Sequence, residues 1–313
     1  YDGKVQSGEV IFARANEKGF SASALMMLAS CPMRYFLSRA LGLGEPEEAL
    51  SRQELAPNLR GSAYHEVLAA FYGELVKTGA LHQLFADGLR AQLKKTLFSL
   101  YPPNAYKRFG IYPVIWDLIL EDIQFALEEF VLADTAQLEG LVPSYFEREL
   151  VGLYRPDSFV SLRLKGILDR VDTDPSRKLY RVCDYKSGRK AGKSLAQDIL
   201  KKRIFQPFLY VLLAQQWEPL KGWQSAGSCL MSINKGYQRK DLTPQEFEAL
   251  KPAADAFFAR LARLVKEGDF YLRPAADCQY CSYAAVCRKD AFRMRQRALR
   301  CMAAKELEEK IPA

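Results

Sequence analysis

The sequence predicts an α/β protein whose core is a mixed central β-sheet flanked by helices, with a helical layer inserted ahead of the sheet. Three observations predict this class. Helical periodicity dominates residues 21–140, and three strand-like segments then follow one another at 144–153, 160–172 and 178–186. A helix connects the third of these strands to a fourth strand-like segment at 224–234. Consecutive antiparallel strands followed by a strand–helix–strand connection produce a mixed sheet.

The helical part is expected to follow a leading strand or loop over residues 1–20. Ser21 or Ser23 can cap the first helix, and Cys31-Pro32 interrupts it, because proline lacks a backbone donor and restricts the residue before it. A polar loop is expected next, and then three helices. The loop is predicted over 42–58 and the helices over 59–76, 81–100 and 112–138.

Turn sequences separate the first three predicted strands: Arg155-Pro156-Asp157-Ser158, and then Asp174-Pro175-Ser176-Arg177. The connecting helix is predicted from Ser194 to Trp217, with Ser194 and Gln197 spaced as a capping box.

Thr243-Pro244-Gln245-Glu246 begins another helix, which is predicted to run to about Glu267, and a charged helix is expected to end the chain. We therefore expect a single domain over residues 1–313. Its parts are a mainly helical region at 21–140, a sheet core at 141–235, and C-terminal helices with a cysteine cluster at 236–313.

The composition is ordinary for a globular protein of 313 residues, with 49% hydrophobic and 26% charged residues. No apolar run approaches the roughly 20 residues of a membrane-spanning helix, so no membrane association is expected. The net charge of +8 favours a polyanionic partner, nucleic acid first, with a solvated positive face as the alternative. Seven cysteines without a secretory leader indicate a reducing compartment, so we expect a cytoplasmic location. Because the chain begins with Tyr1 rather than Met, we expect it to be a piece of a longer polypeptide.

Two charged residues, Asp184 and Lys186, lie at the end of the apolar third strand. Because strand side chains alternate, both point to the same face and start roughly 7 Å apart along the strand. A salt bridge or a solvated strand end would explain such a pair. A site that needs both a carboxylate and an ammonium group would explain it equally well.

Asp169 lies on the preceding strand, and antiparallel pairing across the short turn would bring it near Asp184. Adjacent carboxylates repel unless a cation lies between them, so this pair indicates a divalent metal site. Oxygen ligands without a cysteine favour Mg²⁺ or Mn²⁺ over zinc. Lys186 beside such a metal could position a water molecule or stabilise charge on a phosphate oxygen.

Other polar residues carry less information by themselves. Gln206 and Tyr210 are spaced i and i+4 on one helix face, where a surface glutamine and a core-edge tyrosine are the simpler interpretation. His65 is compatible with a helix-surface or satisfied core histidine. Glu147 and Glu149 on the first strand are both candidates for the metal site, and the sequence does not choose between them.

Three cysteines, Cys278, Cys281 and Cys287, lie within ten residues of one another, and Cys31 lies far upstream. In a reducing compartment this spacing indicates a metal site. Tetrahedral zinc and an iron–sulfur cluster both accept four thiolates, and the spacing alone leaves both open. The remaining cysteines are less informative. Cys183 and Cys229 lie in apolar strands and are expected core residues, and Cys301 is a spare thiol near the end.

Four motifs taken together resemble the RecB-type branch of the PD-(D/E)xK nuclease superfamily, over residues 21 to 290. The Ser21-Ala22-Ser23 and Cys31-Pro32-Met33-Arg34-Tyr35-Phe36 segments also resemble the start of the nuclease domain of AddB-type helicase–nuclease subunits. The four motifs are Gly61-Ser62-Ala63-Tyr64-His65, Gly166-Ile167-Leu168-Asp169-Arg170-Val171-Asp172, Asp184-Tyr185-Lys186 and Gln206-x-x-x-Tyr210.

This resemblance implies a restriction-endonuclease-like core and a metal-dependent deoxyribonuclease that acts as an exonuclease. Each motif would have a stated role. His65, Asp169, Asp184 and the backbone carbonyl of Tyr185 would hold Mg²⁺ or Mn²⁺, Lys186 would be the catalytic lysine that organises the attacking water, and Gln206 and Tyr210 would support Lys186 and the DNA strand.

The cysteine pattern is also interpreted through this resemblance. AddB-type nucleases and CRISPR-associated relatives carry a [4Fe–4S] cluster on one upstream and three downstream cysteines. Cys31, Cys278, Cys281 and Cys287 match that pattern, whereas Cys301 falls outside it. The resemblance thus implies a structural cluster that joins distant parts of the chain, with zinc as the alternative occupant.

The expected partners are DNA and a helicase, either as a separate subunit or as another region of the same longer chain, in DNA repair and recombination. Gly192-Lys193-Ser194 lacks the earlier glycine of a Walker-type loop, so the sequence contains no ATP-driven motor of its own. Two alternatives stay open: a stand-alone nuclease of the CRISPR-associated type, and a non-catalytic DNA-binding module on the nuclease fold.

Overall fold

The computed structural model describes residues 3–44, 52–188, 194–234, 236–273 and 276–287, together with residues 292 and 296. Part of the predicted loop at 42–58, most of the predicted final helix, and Cys301 lie outside these residues.

A five-stranded sheet forms the centre of the molecule, with the strands in the order β1-β2-β3-β4-β5. The first three strands pair antiparallel, β3 and β4 pair parallel, and β4 and β5 pair antiparallel. The predicted mixed sheet is therefore confirmed, although the short, polar β5 was not predicted. The strands are β1 (Val142–Tyr154), β2 (Leu162–Asp174), β3 (Leu179–Lys186), β4 (Gln224–Ser232) and β5 (Gln238–Leu242).

Helices before the sheet form the predicted inserted layer. This layer packs on one face of the sheet, as the alternation of side chains along β3 shows. Cys183 and Tyr185 belong to the same buried cluster as the layer, whereas Tyr180 and Val182 belong to the cluster on the other face of the sheet. The layer consists of α4 (Pro57–Thr78), α5 (Ala86–Leu100), α6 (Tyr106–Phe109) and α7 (Pro113–Thr135).

The opposite face of the sheet is covered by helices from both ends of the chain, which pack around Tyr180 and Val182. Within the described residues, no helix is both long and apolar enough to cross a membrane. The remaining helices are α1 (Gly8–Lys18), α2 (Ala22–Ser30), α3 (Pro32–Tyr35), α8 (Leu195–Leu200), α9 (Gln206–Ala214), α10 (Pro244–Glu267) and α11 (Ala284–Cys287).

The strand or loop predicted for residues 1–20 is wrong, because residues Gly8–Lys18 form helix α1. The apolar run that suggested a strand is distributed around the helix, with Phe12 buried and Val10 52% exposed. Helix α1 approaches the C-terminal end of α10 so closely that a Cβ on Gly8 would lie 2.3 Å from the Gly268 nitrogen. This contact with a distant helix is invisible in the local sequence.

The following helix behaves as predicted. The Ser21 hydroxyl accepts a hydrogen bond from the Ala24 N–H at 3.1 Å, and the helix ends at Cys31 before Pro32. Cys31 has an extended backbone, which is the conformation that a following proline favours.

A single helix over 194–217 is wrong, because the chain forms α8 and α9 with a break between them. Lys202 has a positive φ of 56° in this break. The Ser194 side chain makes no cap hydrogen bond, so the predicted capping box is also wrong. The break allows Gln206 to begin a new helix, with Pro207 in its first turn. By contrast, the predicted capping box of Thr243 and Glu246 is present at the start of α10, and the end at Glu267 is confirmed.

Candidate metal and nuclease site

The end of β3 carries a buried ion pair. Asp184 is almost fully buried, and Lys186 Nζ lies 2.6 Å from its Oδ2 atom. The salt bridge considered from the sequence therefore exists, but it does not satisfy the carboxylate. Both oxygens of Asp184 are buried, and in the described part of the chain neither accepts a hydrogen bond of acceptable geometry. A buried carboxylate in this state is unusual, because unsatisfied polar atoms are costly.

Strand β2 brings Asp169 to the same place. The β2–β3 register pairs Arg170 with Cys183, so Asp169 lies just beyond the paired segment, beside Asp184. The Tyr185 N–H donates a hydrogen bond to Asp169 Oδ2 at 2.7 Å. Burial, and then the nearby Asp184 charge, raise the pKa of Asp169 to about 8. Two carboxylates thus share one buried space, as the sequence predicted.

His65 reaches these carboxylates from α4 in the helical layer. Its Nδ1 atom lies 3.5 Å from Asp169 Oδ1 and 3.2 Å from Glu147 Oε1. Burial lowers the pKa of His65, but the hydrogen bond to Glu147 and the Asp169 charge outweigh that effect, so the pKa is raised. The helical layer therefore covers the sheet and also contributes the His65 side chain to the site.

Glu147, on β1, is the acidic residue of the first strand that reaches the site. Phe146 pairs with Arg170 and Arg148 pairs with Leu168, so Glu147 lies across from Asp169. Its φ is +48°, a left-handed conformation that is uncommon outside glycine. Such distortions concentrate at functional sites.

The other candidate on this strand, Glu149, pairs with Ile167, two positions along β2 from Asp169. Alternation gives Glu147 and Glu149 the same orientation in an ideal strand, so the sequence had no signal that separates them.

Gln206 and Tyr210 lie together on α9, which packs on β1, β2 and β3. Gln206 hydrogen-bonds the Tyr210 hydroxyl, and that ring lies against Gly166 of β2. Burial raises the pKa of Tyr210, and the charges of Asp184 and Asp169 raise it further. The hydroxyl therefore stays protonated near neutral pH and can act as a hydrogen-bond donor.

The donor set fits a hard divalent cation. His65, Glu147 and Asp169 offer ligand atoms that all lie within 4.8 Å of one another, and Asp184 adds two unsatisfied oxygens. Carboxylate oxygens are ligands of hard divalent cations, and an imidazole can complete such a set. Because burial and the Asp184 charge raise the pKa of Asp169, the two carboxyls hold a proton that a bound cation could replace. The role of the Tyr185 carbonyl as a ligand stays a prediction.

The four predicted cysteine ligands line one cavity of about 90 Å³ between the α2–α3 junction and the segment from 278 to 287. Arg34 and Arg273 also line this cavity. Burial raises the pKa of the Cys31 thiol. Among the residues that the structure describes, no three of these thiols lie within 4.8 Å of one another.

The sequence model of the PD-(D/E)XK nuclease superfamily matches residues 19–288 of the chain. The chain belongs to this superfamily. The match includes the strands that carry Glu147, Asp169 and Asp184, and the helix that carries His65. The mixed sheet with flanking helices is consistent with the restriction-endonuclease-like fold that the resemblance implied, and the protein is a nuclease by family.

Two solved structures are similar to this PD-(D/E)XK chain at low identity. One, from Eubacterium rectale, is described as a "Putative exonuclease"; it is 13% identical, the match covers 90% of this chain and 93% of that one, and the TM-score is 0.45. The other, described as SSO0001, is 16% identical, with coverages of 62% and 80% and a TM-score of 0.31. No protein with a curated description matches the chain.

Proposed function

We propose that the protein is an Mg²⁺- or Mn²⁺-dependent deoxyribonuclease that hydrolyses phosphodiester bonds, working as an exonuclease with a helicase in DNA repair and recombination. The observation that carries this proposal is the meeting of Asp169, Asp184 and Lys186 in one buried site, where Asp184 has unsatisfied oxygens. His65 and Glu147 complete the donor set.

His65, Glu147, Asp169 and Asp184 would hold the cation in this proposal. A bound divalent ion supplies Lewis-acid stabilisation of charge on the phosphate and lowers the pKa of a bound water. The carboxylates of Asp169 and Asp184 also disfavour binding of a phosphate when no cation is present, because like charges repel. Cleavage should therefore depend strictly on added metal.

Lys186 has the geometry for organising the nucleophile. An ammonium group has three N–H donors, and Asp184 lies within 2.6 Å of this one. Since neither oxygen of Asp184 accepts a well-aligned hydrogen bond from the described residues, these donors can orient a water molecule or contact a phosphate oxygen. The short distance to Asp184 also restricts the Lys186 side chain to one region of the site. The entropic cost of positioning the ammonium group for the reaction is therefore lower.

Tyr210 and Gln206 on α9 would support this arrangement. The Tyr210 hydroxyl is kept protonated by its buried position near two carboxylates, and Gln206 fixes its orientation. The two side chains therefore provide hydrogen-bonding groups in fixed positions. Neither is a candidate for a general base.

Replacement of Lys186 by Ala tests the nuclease proposal. We expect loss of at least about 100-fold in the Mg²⁺-dependent degradation of end-labelled single- and double-stranded DNA, the size of effect that follows removal of one stabilising donor. Lys221, which is 71% exposed and pairs only with the neighbouring Glu218 among the described residues, provides a matched control as Lys221→Ala. Wild-type activity in a folded Lys186→Ala protein would rule out this site.

The helicase partnership and the DNA repair role rest on the resemblance to AddB-type subunits. DNA binding without cleavage in both Mg²⁺ and Mn²⁺ would instead favour the non-catalytic module. The close grouping of His65, Glu147 and Asp169 and the pairing of Lys186 with Asp184 support a catalytic site over that alternative. A cytoplasmic location fits the reduced thiols and stays a prediction.

The cysteine cavity is proposed to hold a [4Fe–4S] cluster on Cys31, Cys278, Cys281 and Cys287. Four thiolates around one tetrahedral zinc ion, each about 2.3 Å from the metal, would lie about 3.8 Å apart. No three of the described thiols lie as close together as 4.8 Å, which supports the larger group. Iron and acid-labile sulfide in the purified protein, with visible absorbance, are the expected findings. Stoichiometric zinc without iron would overturn this assignment.

A further inference from the structure

A second polar cluster lies in the interior beside the candidate nuclease site. At its centre is Arg170, the residue after Asp169, which is 1% exposed. Its Nε atom donates to Asp172 Oδ1 at 2.5 Å, and its Nη1 atom donates to Asp134 Oδ2 at 2.6 Å. Asp134 belongs to α7, so this guanidinium group joins the sheet to the inserted helical layer. The Arg170 side chain also lies over the Tyr72 ring of α4, with its Cζ atom 4.8 Å from the ring centre.

The charges of this cluster are balanced, in contrast to those of the nuclease site. Asp134 and Asp172 face Arg170, and Arg181 provides a second guanidinium group 3.3 Å from Asp172 Oδ2. The Tyr72 hydroxyl donates a hydrogen bond to Asp134, and the Tyr237 hydroxyl also contacts it, at 3.4 Å. A cluster with balanced charges and internal hydrogen bonds does not need a metal ion. Its function therefore depends on the neighbouring residues that it holds in position.

Tyr185 connects the cluster to the nuclease site. Its hydroxyl lies 3.4 Å from Arg170 Nη1, so the guanidinium group restricts the position of the ring. The same ring packs edge-on against the His65 ring with centroids 5.5 Å apart. The backbone N–H of Tyr185 binds Asp169. One residue thus contacts two of the proposed metal ligands and the end of the buried cluster.

We propose that Asp134 and the Tyr185 hydroxyl are positioning groups for the metal site, acting through Arg170 to fix His65 relative to Asp169. Asp134 orients Arg170, Arg170 orients the Tyr185 ring, and that ring limits where the imidazole of His65 can lie. The inference rests on the proposed function, because it concerns the ligands of that site. Groups that orient metal ligands from behind typically change metal affinity by about 10- to 100-fold when removed.

The test compares three variants that each remove one group from the cluster. Tyr185→Phe removes a hydroxyl and keeps the ring and backbone, and Asp134→Asn removes a charge at constant size. Tyr237→Phe is the matched control, because its hydroxyl contacts the same Asp134 carboxylate, while its ring packs on Phe130 and not on His65. Binding of Mn²⁺ to the DNA-free protein is measured by titration calorimetry, and thermal unfolding is measured on the same samples.

We expect Tyr185→Phe and Asp134→Asn to weaken Mn²⁺ binding by about 10-fold, the lower end of the range for such groups, while Tyr237→Phe binds as the wild type does. A purely structural cluster would lower the unfolding temperature in all three variants and leave Mn²⁺ affinity unchanged. Unchanged affinity in folded Tyr185→Phe overturns the inference, even if Asp134→Asn fails to fold. If the wild type itself neither binds Mn²⁺ nor cleaves DNA, the proposed function has failed instead.

Discussion

Because Gly166 has no side chain, the Tyr210 ring can pack directly against the backbone of β2. A Cβ atom at this position would lie 2.7 Å from Tyr210 Cε1, closer than such atoms approach in folded proteins. Because α9 packs on β2 at this point, the missing side chain determines how near the Tyr210 hydroxyl comes to Asp169 and Asp184. The glycine of this motif is thus a packing requirement of the site.

Substitution of Gly166 by Ala should therefore displace Tyr210 and reduce both stability and nuclease activity. We expect a loss of about 1–3 kcal/mol in the free energy of unfolding, the usual cost of overpacking a core. Denaturant unfolding and DNA cleavage would measure the two effects. Gly73 in α4 is the control, because an added Cβ there meets nothing within 4 Å. Gly73→Ala should be neutral or stabilising by up to about 1 kcal/mol.

The buried carboxyl of Asp169 predicts a pH dependence in the metal-free protein. Its folded pKa is raised from 3.8 to about 8, so the folded state binds a proton that the unfolded state has released between these values. Stability should then fall as the pH rises through this window. His65 acts in the same direction, because its raised pKa gives stabilisation that is lost as the pH rises through the folded value.

Chemical unfolding in a chelator, between about pH 5 and about pH 8, measures this effect. Mn²⁺ should restore stability at the upper end, since a cation can replace the proton between the carboxylates. Asp169→Asn should flatten the profile in the absence of metal. A wild-type profile that rises with pH would show that the two carboxylates are not coupled in this way.

Particular residues show how far the sequence could predict the site. Strand alternation and the antiparallel turn indicated Asp169, Asp184 and Lys186, whereas His65, Gln206 and Tyr210 became candidates only through the resemblance to the nuclease family. Glu147 was not separable from Glu149, because both have the same orientation in a regular strand and only the β1–β2 register brings Glu147 across from Asp169. The Asp134–Arg170 contact was also not predictable, since it joins residues of α7 and β2 that no local pattern relates.

At the scale of elements, the sequence predicted the helices and strands that have a clear hydrophobic periodicity of their own. The strands β1 to β4 and the long helices α4, α5 and α7 have clear periodicity and were placed within a few residues. The errors lie where distant contacts decide the structure. Helix α1 depends on its close approach to α10, and the break between α8 and α9 depends on a positive φ at Lys202.

The two predicted capping boxes provide a matched test of this difference. Thr243 accepts a hydrogen bond from the Glu246 N–H at 3.2 Å, whereas the Ser194 side chain makes no cap hydrogen bond. Thr243→Ala should lower the free energy of unfolding by about 1 kcal/mol, and Ser194→Ala should have a much smaller effect. Equal losses in denaturant unfolding would contradict the uncapped start of α8.

At the scale of the whole molecule, the four cysteines lie near the two ends of the nuclease region and line one cavity. Cys31 lies at the end of α2, and the other three lie after α10. Every candidate ligand of the metal site lies between these points in the chain. A group bound by all four thiols would therefore close a loop that contains the whole sheet, and such closures restrict the unfolded chain.

We expect this closure to stabilise the fold without taking part in hydrolysis. Cys281→Ala should remove the visible absorbance and lower the free energy of unfolding by up to about 5 kcal/mol, the limit expected for a cross-link that closes a long loop. Cys229→Ala removes a buried thiol outside the cavity, so it should keep full iron content and serve as the control. At a temperature where Cys281→Ala is still folded, DNA cleavage per folded molecule should match the wild type, because the metal ligands and Lys186 are unchanged. Loss of cleavage in the folded variant would mean that the cysteine cavity contributes to the reaction or to DNA binding, and that its role extends beyond holding the two ends of the chain together.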